Sequence, residues 1–413
     1  MLRLFLCANL LAAAADTIEP PESWIDKDTG HRVVRLTKEK GSASLYFNQN
    51  GYTADGKKLV YTTPNGIHVL DLATRQARQV VEGRVRLIDA GHKTQRVFYL
   101  RDGAAFWTNV DTGETKKIGD LPKRGSISSV NADETLLAGT YIEGETGQDY
   151  NSRRPSASPA AQGHPLDQPR DKGQMMEDRW ASRLPMGLYT LNVNTGETKT
   201  VHRASDWLNH LLFSPTDPTL LMFCHEGPWH KVDRIWLMRT DGSMVPKKVH
   251  SRTMAMEIWG HEFWSADGKT IWYDLQIPRG EDFFLAGYHV DTGERTWHHL
   301  QRDEWSIHFN VTGDGTLFTG DGGDPGQVAR AKDGQWLYLF RPELIPNRGL
   351  DDQSFVRPGV LRAERLVNMS QHQYRLEPNV SFTPDQKWVV FRSNMFGGDT
   401  YVYAVEVARA ETR

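Results

Sequence analysis

Short alternating runs of apolar and polar residues dominate this chain, and helical periodicity is almost absent. The runs are rich in Val, Ile, Tyr, Trp and Thr and are bounded by Gly, Asp and Asn, which predicts strands joined by tight turns. Two punctuation marks recur. One is a turn leading into a strand: "TADGKKLVY" from Thr53, "NADETLLAG" from Asn131, "SPTDPTLLMF" from Ser214, "SADGKTIWY" from Ser265, "TGDGTLFTG" from Thr312 and "TPDQKWVVF" from Thr383. The other is a later hairpin turn: "LDLATRQ" from Leu70, "VDTGETK" from Val110, "VNTGETK" from Val193 and "VDTGERT" from Val290. A weaker unit, "AGHKTQRVFYL" from Ala90, fills the gap between the first two. The result is about seven units of roughly 40–50 residues, a period that indicates a β-propeller. A pair of β-sandwiches gives no reason for one turn to recur with the same neighbours. The expected fold is therefore all-β, a seven-bladed β-propeller forming a single domain over residues 16–413. "HRVVRLT" at 31–37 is placed to pair with the last blade and close the ring, removing an open edge.

Two segments break the period. Residues 144–183 are rich in Pro, Ser, Gly and charge, and residues 341–372 include "RPELIPNRGLDDQSFVRPG". Both are expected as long surface insertions, the kind of excursion that often lies over a binding face.

Counting back four residues from the Ser or Thr of each turn reaches one strand position in every unit. It holds Gln49, His210, His261, His308 and Asn379 in five of them. Innermost propeller strands line the central channel, so equivalent positions on successive blades converge there. A single histidine at such a place is usually a satisfied core residue, but five polar residues at one level are not a packing requirement. Imidazoles, an amide and the carboxylate of Glu377 suit a divalent cation, Mn²⁺ or Ca²⁺ foremost and Mg²⁺ also, while one imidazole stays free as a base. "FCHEGPWHKVDRIW" adds His225, Glu226, His230 and Arg234, although Gly-Pro interrupts any zinc-binding helix there. "NMSQHQYRLEPN" adds His372, Gln373, Tyr374, Arg375 and Glu377.

Charge and termini limit the partners. A formal net charge of −3 over 413 residues argues against nucleic acid or an anionic membrane, so an acidic ligand needs local cationic groups. "MLRLFLCANLLAAAA", the first 15 residues, reads as a signal peptide cleaved near Ala15, which implies a periplasmic or secreted bacterial protein. A buried N-terminal strand or helix is the alternative. Cys7 lies in that segment, so Cys224 is left without an intrachain partner.

"YFNQNGYTADGKKLVY", "WLNHLLFSPTDPTLLMFCHEGPWHKVDRIW", "GHEFWSADG", "HFNVTGDGTLFTGDG" and "SFTPDQKWVVF" resemble segments of oligogalacturonate lyases, seven-bladed propellers of polysaccharide lyase family 22. The resemblance runs from about residue 24 to 405 and is weakest in the two insertions. It implies cleavage of an acidic, uronate-containing oligosaccharide by β-elimination, giving 4,5-unsaturated products. It implies His261 as the Brønsted base, Arg234 as its catalytic assistant and His308 as a metal ligand. His210, His225, Gln49 and Arg375 are then candidate substrate contacts. The family's remaining ligands form a Q-x-x-H-x-H pattern, against which this chain has "QYRLEPN". Glu377 and Asn379 stand at the two histidine positions, and the glutamine falls on Tyr374 or, after a one-residue slip, Gln373. Two oxygen donors in place of imidazoles favour a harder ion and leave the uronate open, rhamnogalacturonan being one alternative. The rival reading is a non-catalytic TolB-like propeller, which shares the turns and has no use for a polar ring. A propeller-bearing serine peptidase needs a G-x-S-x-G elbow, and the chain has none.

Overall fold

The repeated turn is held by one hydrogen-bond pattern, which explains why its residues recur. In the computed structural model the Ser or Thr hydroxyl donates to the Asp two residues on: Thr53 to Asp55 at 2.7 Å, Ser265 to Asp267 at 2.6 Å, Thr312 to Asp314 at 2.7 Å and Thr383 to Asp385 at 2.6 Å. The same residue's N–H reaches the first carbonyl of the outgoing strand, as from Ser265 to Thr270 at 2.8 Å. The hairpin turns use Asx geometry instead. Asn109 Oδ1 accepts the N–H groups of Asp111 and Thr112, and Gly113 follows at φ 75°, a left-handed conformation that disfavours any residue with a Cβ. The weak second unit lacks the turn aspartate. Glu134 of the next blade replaces it, accepting the N–H groups of Lys93 and Thr94 at 2.7 Å each.

The structure describes residues 19–144 and 172–410, apart from 326, 327, 329, 330, 350, 351 and 353. The expected signal segment and most of the first insertion lie outside the described residues. Four sheets are antiparallel four-stranded blades at 43–82, 86–120, 125–204 and 207–248. An eight-stranded sheet is two further blades, 258–299 and 309–368, joined edge to edge. The seventh blade comprises Ser381–Phe382, Trp388–Ser393 and Tyr401–Arg409, completed by the N-terminal strand His31–Arg35. That pairing, with Val33 opposite Val405, is the ring closure the sequence predicts. A short strand, Ser23–Ile25, covers the outer edge of His31–Arg35.

The blades pack face to face through apolar clusters. Blades 4 and 5 share Met222, Ile235, Leu237, Trp259, Ile271 and Tyr273, all fully buried. Each alternating strand thus gives apolar residues to both neighbours, so the ring cannot open without exposing these faces together.

Half of the second predicted insertion is strand. Trp336–Leu344 and Arg357–Asn368 form a long antiparallel hairpin, and residues 357–360 of its return arm pair in parallel with residues 296–299 of blade 5. Charged residues hold its exposed half together, with Arg341–Glu364 and Arg362–Glu343 each at 2.8 Å. The described end of the first insertion is a helix, Lys172–Ser182. Its Arg179 stacks over Trp207, and Glu177 pairs with Lys231 at 2.8 Å. This docks the helix against blade 4 and the 227–234 loop.

Candidate active site

The first strand of each blade lies on the inside, where strands of neighbouring blades touch one another. Four of these strands, in blades 2 to 5, carry a one-residue bulge at the predicted level. Pairing slips between Asn209 and Leu212 in blade 4 and between Gly260 and Phe263 in blade 5. The bulge residues His210 and His261 adopt φ of 46° and 48°, and Asn379 of blade 7 adopts 53°. A left-handed conformation costs a non-glycine residue about 1–2 kcal/mol. Three such residues at one level of the ring mark it as a place where side chains are aimed.

His261 and His308 meet edge to face, with ring centroids 4.9 Å apart. His261 is partly open, its side chain 20% exposed, and its Nδ1 lies 3.3 Å from Asp274 Oδ1 on the adjoining strand. The approach is off the hydrogen-bonding line. Burial disfavours the imidazolium, but the Asp274 carboxylate outweighs it and holds the His261 pKa above the usual histidine value. The tautomer with N–H towards Asp274 carries its lone pair on Nε2.

His308 is fully buried and more tightly held. Its Nδ1 lies 2.7 Å from Asp321 Oδ2, and its backbone N–H donates to Asp321 Oδ1 at 2.9 Å. Nδ1 therefore donates to the carboxylate, and Nε2 accepts from the Tyr46 hydroxyl at 3.0 Å. Burial, then the nearby carboxylates of Glu377 and Glu262, push the Tyr46 pKa far up, so it stays a neutral donor. A carboxylate-braced imidazole is the usual preparation of a metal-binding histidine, and here the Nε2 lone pair is engaged by Tyr46. The Glu377 carboxylate lies 4.0 Å from that Nε2, and its side chain is 41% exposed.

The other proposed ligands behave differently. Asn379 accepts the Phe47 N–H at 3.3 Å and donates to the Glu377 carbonyl at 3.1 Å, so its amide braces two backbone segments. Gln373 is exposed on a turn and tied to Asn394 through its backbone N–H, so the structure does not bring it to His308. His372 is closed off by Ser393 and the Leu376 carbonyl, and Tyr374 donates to the Asp321 carbonyl from below. No three His, Cys, Asp or Glu side chains among the described residues converge on one point. His308 and Glu377 are two donors and not a cage, and a cation could join them only where the Tyr46 hydroxyl gives up the His308 Nε2 lone pair.

Arg234 lies beside this pair in a second charged group. Only 1% of its side chain is exposed; Nη1 donates to Glu226 Oε1, and Nη2 lies 3.7 Å from Glu262 Oε2. The Trp229 ring covers the guanidinium at 4.4 Å and meets His261 at 5.1 Å. Gly260 makes room for this ring, since a Cβ there would fall 2.7 Å from Trp229 Cη2. Burial alone raises Glu226, but Arg234 and His210 outweigh it and hold its carboxyl far below the usual range. His210 Nε2 lies 3.1 Å from Glu226 Oε2, and its Nδ1 is 3.9 Å from Glu262 Oε1. Arg234 is thus a buried counter-ion that fixes the floor under His210 and His261. As the expected catalytic assistant it stands, at this burial, beneath the histidines and not against the open space above them.

Three other predicted contacts separate from one another. Gln49 belongs to the ring, but its amide is engaged by the Tyr46 N–H and the Ile88 carbonyl, bracing the segment that carries Tyr46. His225 points to the opposite face of its strand from Glu226, where it stacks on Trp236 and pairs with Asp206 at 3.1 Å. The structure does not bring it to His261. Arg375 is exposed beside Glu377 and has no ion-pair partner among the described residues. Asp274, Asp321 and Tyr46 are the site residues that sequence reasoning missed. Only Asp321 carried a signal, as the aspartate of "TGDGG" after the His308 strand.

A propeller that aims histidines from successive inner strands at one point, each backed by a buried carboxylate, is built as an enzyme. Residues 176–410 match the oligogalacturonate lyase family, and the chain belongs to it. Oligogalacturonate lyase from Dickeya dadantii is 26% identical over 401 residues, covering 91% of this chain and 93% of that protein. Oligogalacturonide lyase from Pectobacterium atrosepticum is 26% identical over 395 residues, with the same coverage of both chains. Among solved structures, an oligogalacturonate lyase in complex with manganese is 25% identical with a TM-score of 0.72, covering 94% of this chain and 96% of that one.

Proposed function

We propose that this protein cleaves oligogalacturonate by β-elimination, with His261 as the base. The observation that carries the reading is the pairing of His261, partly open and backed by Asp274, with His308, whose Nδ1 is held by Asp321, the two ring centroids lying 4.9 Å apart. The proton on C5 of a galacturonate lies α to its carboxylate. His261 Nε2 takes that proton, the C5–H electrons form the C4–C5 double bond, and the C4–O4 bond breaks with its electrons on O4, which is then protonated. Asp274 stabilises the imidazolium as it forms, which strengthens His261 as a base. Trp229 and Phe47 flank the imidazole and limit its rotation. The His210–Glu226 pair lines the neighbouring inner strand, where sugar hydroxyls can exchange hydrogen bonds with it.

His308 and Glu377 are the residues that would hold a divalent cation, Mn²⁺ being the ion of the solved relative. Bound there, it would neutralise the substrate carboxylate and stabilise the enolate-like charge that develops beside it. The N-terminal segment supports export to the periplasm or beyond, where pectin fragments arise outside the cell.

The test is an ultraviolet assay for the conjugated double bond of the product, run on galacturonate oligomers before and after exhaustive EDTA treatment. Turnover is expected to fall at least about tenfold on chelation, the scale of one lost charge-stabilising interaction, and to return with Mn²⁺. Turnover indifferent to chelation contradicts the cation at His308 and Glu377. Unsaturated product from rhamnogalacturonan alone would move the assignment to that glycan.

A further inference from the structure

A cleft of about 710 Å³ opens beside the site between blades 1 and 2, and it is strongly cationic. Its inner end is formed by Tyr46 and Gln49, the segment that donates to His308. Its walls carry Arg84, Arg86, Arg101 and Arg392, with Asp102 as the one carboxylate among the lining residues. None of the four guanidinium groups forms an ion pair among the described residues. Arg86 donates to the Ser126 hydroxyl and Arg101 to the Glu82 carbonyl at 2.6 Å, both neutral partners. Arg392 donates through Nε to the Glu377 carbonyl at 2.8 Å, which links the cleft to the proposed cation position. Four unpaired arginines along one groove are costly through mutual repulsion and are unexpected in a chain of net charge −3. Guanidinium forks suit carboxylates because they bind both oxygens at once. A cleft of this volume holds an extended small ligand.

We infer that this groove is an accessory subsite that binds the carboxylates of uronate residues beyond the bond being cut. Rows of unesterified carboxylates along an oligogalacturonate chain match a row of guanidinium groups. The site therefore selects de-esterified oligomers long enough to reach from His261 into the groove. This inference rests on the oligosaccharide reading above, but its test does not depend on catalysis.

Isothermal titration with trigalacturonate and with its fully methyl-esterified form separates the two. It is run in a His261→Gln background, with and without Arg84→Gln and Arg101→Gln together. The double substitution is expected to raise the Kd for trigalacturonate at least about tenfold, the scale of one charge-assisted contact. The ester is expected to bind weakly to both forms, with no difference between them. An Arg84→Lys, Arg101→Lys pair is expected to fall between, since lysine keeps the charge without the fork. Arg84 is exposed and Arg101 half-buried, and neither forms an ion pair among the described residues, so thermal melts are expected to coincide. Equal Kd values for trigalacturonate, or no binding to the parent, overturn the inference. Loss of the ultraviolet product signal in the wild-type chain would instead count against the lyase reading.

Discussion

Replacing His261 with Ala is expected to lower turnover of galacturonate oligomers by about 10²–10⁴-fold, the usual contribution of a positioned general base. His261→Gln is expected to match it, because an amide of similar volume has no basic nitrogen. The chain stays folded in both. The imidazole is partly exposed, makes no hydrogen bond through Nδ1, and lies outside the apolar clusters that pack the blades together. Circular dichroism and thermal melting check the fold, and initial rates check the chemistry. Near-normal rates in either variant remove His261 as the base. Normal melting with lost activity confines its role to the reaction.

Arg234→Ala is expected to have the largest effect on stability. The substitution leaves Glu226, 7% exposed, and Glu262, 1% exposed, without their shared counter-ion. Breaking a buried ion pair from one side costs about 3–5 kcal/mol, because the remaining charge is stranded. Glu262 is the more vulnerable of the two, since neither of its oxygens has a hydrogen-bond donor among the described residues. Activity is expected to fall along with stability, as Trp229 loses the guanidinium it covers and no longer fixes His261. Removing the charges together, as in Arg234→Met with Glu226→Leu and Glu262→Leu, is expected to recover most of the stability and none of the activity. Denaturant melts read the first and initial rates the second. A melt unchanged in Arg234→Ala would show that the carboxylates are solvated and that the buried network is not what supports the site.

The propeller was legible in the sequence because its turns are local. A hydroxyl two residues before an Asp folds onto that Asp at each of these turns, so the fold repeats the motif in writing. Closure by residues 31–35 was legible for the same reason, as an alternating run with no blade of its own. The 341–372 segment was not. Pro342, Pro358 and a run of charges hide the alternation, and its strands are held by cross-strand ion pairs and by the edge of blade 5.

The site divides along the same line. Counting from the turns found His210, His261 and His308, because each blade sets its own inner residue. It could not find their partners. Asp274 and Asp321 act from adjoining strands, and Tyr46 reaches His308 from a residue 262 positions away. The left-handed bulges that aim His210 and His261 leave no residue signature, since nothing in the sequence requires a histidine at positive φ. Gln373 and His225 show the opposite failure. They have suitable chemistry in nearby sequence, but strand alternation and a tight turn direct them elsewhere.

Running the reaction in water enriched in heavy oxygen and weighing the products tests the central claim most directly. Elimination breaks the C4–O4 bond without consuming water, so the account predicts an unsaturated fragment and a saturated fragment, both free of heavy oxygen once exchange at the reducing ends is subtracted. Two saturated fragments and no unsaturated one, with masses that sum to the substrate plus one water, would mean hydrolysis, and would contradict the assignment of His261 as a base acting on C5.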